Sequence, residues 1–484
     1  MLNARANSRL SIAGLLLVMA GCLVLPFELN GQTALAPAQS PAPAKSGPAA
    51  VQARLDMLAD ALKAARAVGD AMTEAKTLNQ IGRLHYQISD FQKALDDYNQ
   101  ALALARSAKD AVEEAEALNG VGSCYRAQGQ SQRALETAQQ ALDVATAAGD
   151  ERGQAEALNG LGWASSNLGK NQEALEFHHS ALPLAQRSGD SDLDATVLRR
   201  IGSVTSALGQ PQKALEFYDR ALEIFHRVGD DAGEGSTLNN IGAVYLGEGN
   251  KDKAADFYNR GLALEKLAGD RATEAITLFN LGVLSFNLGE KQKALDFYGQ
   301  VLALRQDMHD RTGEAGTLYT IGSVYSGLGQ SQKALESYSQ ALAIRREIGD
   351  RSGEAATLNS IGAAYGELGE KQKALDAYSQ SAQVYRQAGD FNNQAVALAG
   401  MGEMLLALGD KQKAVDSYNQ AVAIFHQSKI PAAEVHLLVA IGPVYLALGD
   451  KQKALYSYNQ ALPILRQLGD HGSEAQTLVS IGLI

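Results

Sequence analysis

Asparagine stands at Asn79, Asn119, Asn159, Asn239 and Asn359, always forty residues or a multiple of forty apart. A carboxamide is both donor and acceptor. A spaced ladder of them could pair with the backbone of an extended peptide without demanding its sequence. The same amides could instead bond between neighbouring helices and hold a curved stack. Arg199 and Arg200 interrupt the ladder and could meet an acidic residue, a terminal carboxylate or a surface ion-pair partner. Asn240 and Asn280 occupy the adjoining position. Trp163, the single tryptophan, lies one helical turn beyond Asn159 and either anchors a ligand side chain or fills a packing gap.

Other chemistry finds little support. None of the eight histidines forms a metalloprotease-type pair, and His178 and His179 point to different faces of one helix. No metal or cofactor site is expected. Cys124 falls among core-facing residues. No glycine-rich phosphate loop follows a strand, and no strand is expected at all. Every other polar residue has an explanation at the level of a repeat, so the chain does not read as an enzyme. A net charge of -11 without a basic stripe excludes nucleic acid as the main partner.

The elements that must carry these residues repeat with a period of forty. Leu358, Gly362, Tyr365, Gly369, Ala374, Tyr378 and Asp390 become Leu318, Gly322, Tyr325, Gly329, Ala334, Tyr338 and Asp350 one period earlier. The register runs unbroken from Asp70 to Asp470, which means stacked supersecondary units. Within a unit, Asp350 is placed to cap a first helix. Leu358, Ile361 and Tyr365 share one face of it, and Gly369 ends it. A second helix carries Ala374, Leu375, Tyr378 and Ser381. The asparagines fall well over 90° from the Leu/Ile stripe. Gly362 and its equivalents are expected to allow close helix contact. The Lys-Gln-Lys runs at Lys371, Lys411 and Lys451 read as a solvated outer face. Lys429-Ile430-Pro431 replaces Gly-Asp, and Pro443 inside a helix predicts altered curvature over 425–447.

These residues resemble the tetratricopeptide repeat, whose pattern is W-x2-L-G-x2-Y, then A, then an aromatic, then A. Leu replaces the first aromatic throughout, and forty residues replace thirty-four. This longer form is similar to the arrays of kinesin light chains and Pins-type adaptors. The resemblance implies an all-α fold: an α-solenoid, a right-handed superhelix of helix-turn-helix units. Its first helices would line a concave groove. It also implies that groove asparagines, here Asn79, Asn119, Asn159, Asn239 and Asn359, hold a peptide or partner protein. The chain is therefore expected to be a non-catalytic interaction scaffold. The alternative is a regulatory array whose C-terminal effector, for example a caspase-like protease domain, is missing.

The organisation expected is a signal or anchor over 1–29, an Ala/Pro-rich linker over 30–50 and the array over 51–484. The array divides into a half-repeat (51–70), ten full repeats (71–470) and a partial one (471–484). Arg5 and Arg9 precede an apolar core from Leu10 to Val18. Cleavage after Ala36-Pro37-Ala38, lipidation of Cys22 in Met19-Ala20-Gly21-Cys22, and retention as an anchor remain three endings of one export signal. A bacterial periplasmic, secreted or membrane-anchored protein is expected, tethered in the last two cases through its N-terminus. The apolar C-terminal end suggests self-association.

Overall fold

The computed structural model describes residues 48–88 and 90–484. The export signal and Cys22 lie outside the described residues. Twenty-two helices, and no strand, are found among the described residues, from α1 (Pro48–Val68) to α22 (His471–Gly482). None is long and apolar enough to cross a membrane. The chain divides into two compact units, whose described parts are residues 48–297 and 298–484. In each, antiparallel helix pairs stack as an α-solenoid.

The reason for each helix is local. In the repeat made by α16 (Arg351–Glu367) and α17 (Lys371–Ala388), the Asp350 carboxylate accepts the Gly353 amide at 2.9 Å. Asp70, Asp110, Asp270, Asp390 and Asp470 cap their helices the same way. Gly389 closes α17 at φ 75°, where a side chain would strain the backbone. Lys429 accepts the same strain at φ 55°. It leads into Pro431, the first residue of α20 (Pro431–Ala447), where proline has no amide to leave unpaired. α20 runs continuously through Pro443.

Packing follows the same register. Leu358, Ile361, Ala374 and Tyr378 are buried. Their burial contributes roughly 2 kcal/mol for each large side chain. Tyr378 presses on Gly362, where an added Cβ would come within 2.9 Å of its ring. That is the close contact the glycine was expected to allow.

The lysine runs are not simply a solvated face. Lys371 Nζ donates to the Ala407 carbonyl at 2.9 Å, and Lys411 Nζ to that of Ala447 at 3.2 Å. Each thus finishes the C-terminus of the next first helix, where carbonyls lack partners. Lys451 reaches the Ile484 carbonyl in the same way. In two of the runs the second lysine lies over a tyrosine, Lys373 over Tyr365 at 5.3 Å and Lys453 over Tyr445 at 5.7 Å. Arg346 and Glu354, at 2.7 Å, tie the end of one repeat to the start of the next. At the end of the chain Leu478, Val479 and Leu483 are exposed.

Candidate functional site

The site is built on four first helices: α2 (Ala71–Gln87), α4 (Ala111–Ala127), α6 (Glu151–Asn167) and α8 (Ser191–Ala207). The asparagines do not line it as an open ladder. Asn79 is fully buried, and its Nδ2 donates to the Glu113 carbonyl at 3.2 Å and to Glu113 Oε2 at 2.9 Å. Asn119 Nδ2 donates to the Gly153 carbonyl at 3.1 Å. Each bond joins one first helix to the opening turn of the next. The face expected opposite the Leu/Ile stripe thus packs against the neighbouring repeat. Asn239 is buried too and accepts from Asn280 Nδ2 at 3.0 Å. Asn240 and Asn280 are half-buried.

Arg199 and Arg200 are interior residues, which removes the surface ion pair. Arg199 Nη1 donates to Ser236 Oγ at 3.2 Å. Arg200 is fully buried, and burial with the nearby Arg199 and Arg126 charges holds its guanidinium well below the usual range. It lies close to His178, which occupies a place held by tyrosine in most repeats. Burial, then the Arg200 charge, brings His178 down to about 3.

Asn159 and Asn359 are buried as well, and in all three asparagines, Asn79 included, Oδ1 has no hydrogen-bond partner. Asn159 lines a pocket of about 950 Å³ that opens to solvent, together with Asn119, Trp163, Tyr86, Arg126 and Asp192. Trp163 is 5 % exposed, packed on Ala134 and Ala164, and its Nε1 also lacks a partner. The packing reading of this tryptophan holds, and the residue also lines the pocket. Arg126 lies over its ring at 5.7 Å and donates to the Tyr86 hydroxyl at 3.0 Å.

The rim carries much charge but neutralises itself. Arg83 pairs with Glu116, and Arg152 bridges Glu156 and Asp190 at 2.8 and 2.9 Å. Burial pushes the Glu156 carboxyl up. Asp192 is also raised, by burial first and then by Asp230 and Asp190. The pocket can therefore offer hydrogen bonds and a stacking surface rather than a strong net charge.

The residues that line the pocket include no histidine, lysine or cysteine. Burial pushes the Cys124 thiol up to about 12, consistent with its place in a core cluster. Among the described residues no group of three metal-ligating side chains comes together. Sequence reasoning passed over Tyr86, Arg126 and Asp192. Their signal was available, since each stands on a first helix within one turn or two of a residue singled out.

Comparison with known proteins fits this architecture. Profiles of the tetratricopeptide repeat match residues 113–187, 166–225, 193–266 and 313–387. A second profile of the same repeat matches 75–107, 275–308 and 395–425. No curated protein matches the chain. Among solved structures, a signal transduction ATPase with numerous domains and a tetratricopeptide repeat sensor, from Pyrococcus horikoshii, is 12% identical. That alignment covers 79% of this chain and 55% of the other, with a TM-score of 0.55. The apo quorum sensor NprR of B. thuringiensis is 14% identical over 69% of this chain and 98% of its own, at a TM-score of 0.48. A structure of nearly identical repeats from a putative kinesin light chain of Podosopora anserina is 16% identical, covers 40% of this chain and 96% of its own, and scores 0.32. Taken with the forty-residue register and the stacked helix pairs, the matched segments show that the chain belongs to the tetratricopeptide repeat family.

Proposed function

We propose that this protein is a non-catalytic interaction scaffold, and that an extended segment of a partner protein lies in the pocket over α2, α4, α6 and α8. The observation that carries this reading is the pair Asn159 and Trp163. They stand one turn apart, are both more than nine-tenths buried, both line the pocket, and each has a buried polar atom that lacks a partner. A buried polar atom without a partner costs about 1–3 kcal/mol, which a ligand carrying a donor and an acceptor returns. A peptide amide carries both.

The test is partner capture by the full chain, compared with Asn159→Ala and Trp163→Ala. Capture should fall by about tenfold or more in each, the size of one lost hydrogen bond or anchor contact. Asn79→Ala serves as the control, because that residue joins helices and does not line the pocket. Equal capture by all four proteins would remove the reading.

Export belongs to the same proposal and rests on Arg5, Arg9 and the apolar run from Leu10. Cell fractionation of the wild type and Cys22→Ser checks it. A lipid tether predicts that only the cysteine-containing chain stays with membranes. An intracellular location for the wild type would refute export.

A further inference from the structure

The tyrosine of each second helix plugs the joint between two first helices. A Cβ on Gly362, in the same repeat as Tyr378, would stand 2.9 Å from its ring, and one on Gly400, in the next repeat, 2.7 Å. The equivalent residue is Tyr98, Tyr218, Tyr258, Tyr298, Tyr338, Tyr418 or Tyr458 elsewhere, and the bulky His178 in one case. At one joint it is Ala138. There the two glycines remain, as Gly122 and Gly160, but no ring lies between them. The atoms nearest a Cβ on Gly122 begin at 3.8 Å, and Gly160 would meet only the Ala138 methyl, at 3.3 Å. Gly362 and Gly400 are buried, whereas Gly122 and Gly160 are both partly exposed. Trp163 packs on Ala134 and stays beyond 4 Å of the Gly160 position.

The recess left by the short side chain opens into the pocket, whose lining includes Gly122, Ala134, Ala138 and Gly160. Its far wall also matches. The hydroxyl of Tyr338 donates to Ser323 Oγ at 3.2 Å. Five periods earlier the same position is Ser123, which lines the pocket although residue 138 brings it no phenol.

We propose that the recess at Ala138 takes a phenol ring from outside, seated between Gly122 and Gly160 with its hydroxyl on Ser123. It would stand where the chain's own tyrosine stands at other joints. The ring comes from a tyrosine of the bound partner segment or from a free phenolic molecule. The first source rests on the function proposed above; the recess itself does not.

Trp163 is the only tryptophan and lines the pocket into which the recess opens, so its emission reports occupancy. The full chain is titrated with p-cresol, the tyrosine side chain alone, and with toluene. A saturable change is expected with p-cresol, with toluene weaker by about tenfold, the size of one hydrogen bond. Ser123→Ala should erase that preference. Ala138→Tyr should abolish p-cresol binding and raise the melting temperature, because it restores the plug. No saturable response in the wild type, or an unchanged response in Ala138→Tyr, would overturn the proposal. If Ala138→Tyr does not fold, Ala138→Leu fills part of the recess, and unchanged p-cresol affinity in that variant overturns it equally.

Short peptides with and without one tyrosine then separate the sources. Tighter binding of the tyrosine peptide than of p-cresol assigns the ring to a partner segment. Equal or weaker binding assigns it to a free phenol. A p-cresol site that persists while partner capture fails would leave the recess standing and remove only the scaffold reading.

Discussion

The joint at Tyr378 and the joint at Ala138 are built on the same two glycines and differ in one side chain. At Tyr378 the glycines make room for a ring that is 1 % exposed. At Ala138 they make room for nothing within the chain, and the same backbone becomes the floor of a pocket. A repeat thus acquires a recess by losing one side chain, without any change of helix length or cap. The neighbouring His178 joint takes a third course. Its smaller ring lets Arg200 enter where Gly120 and Gly400 stand in other repeats.

The largest effect expected from breaking this comparison is Tyr378→Ala. It should cost about 3–5 kcal/mol by chemical denaturation, the range for emptying a buried aromatic site. The same truncation already exists at residue 138, so the loss at Tyr378 measures what that repeat forgoes.

A second prediction carries the comparison to another position. Glu265 lies where Ala105, Ala145 and Ala185 stand, fully buried, with Thr277 Oγ1 donating to it at 2.8 Å. Gly235 gives it space, for a Cβ there would stand 2.9 Å from its Cγ. Burial pushes its carboxyl from 4.5 up to about 8, with Asp270 and Glu274 adding to the rise. The folded state therefore holds a proton that the unfolded state releases. Its stability is fully present below pH 4.5 and is lost as pH rises towards 8, by a few kcal/mol. Denaturation midpoints at several pH values should fall across that window. Glu265→Ala should flatten the slope.

The smallest effect is the sharpest in sign. Gly400→Ala drives a methyl into the Tyr378 ring and should destabilise by about 1–3 kcal/mol. Gly160→Ala meets only the Ala138 methyl and gains helix propensity, so it should stabilise by up to about 1 kcal/mol. Paired thermal melts read both. Equal signs would mean that the two joints do not differ by the ring.

Much of the frame could be read from spacing. The capping aspartates, the Gly362–Tyr378 contact and the buried Leu358 follow from local chemistry repeated every forty residues. The roles of Asn79 and Arg200 could not be read this way. Whether a first-helix face meets solvent depends on how closely the next repeat stacks, and no single helical wheel carries that distance. The place of Asn159 beside the pocket is equally hidden, since Asn79, two periods earlier, is alike in sequence and has the same unpartnered Oδ1 but does not line it. Ala138 was different. It stood in the open as a break in a column of tyrosines, and only its consequence needed the structure.

The bond from Lys371 to the Ala407 carbonyl has a bearing on how such a chain changes length. Its equivalents from Lys251 and Lys411 also reach thirty-six residues ahead, so in these repeats the first helix is finished by the repeat before it. Phe91, Ser131, Asn171, Pro211 and Ser331 hold the same place in other repeats and carry no such amine. Where the lysine is present, removing or duplicating forty consecutive residues leaves it facing a carbonyl terminus at the new seam. There the array can grow or shrink by whole periods while the seam inherits a ready-made fastening.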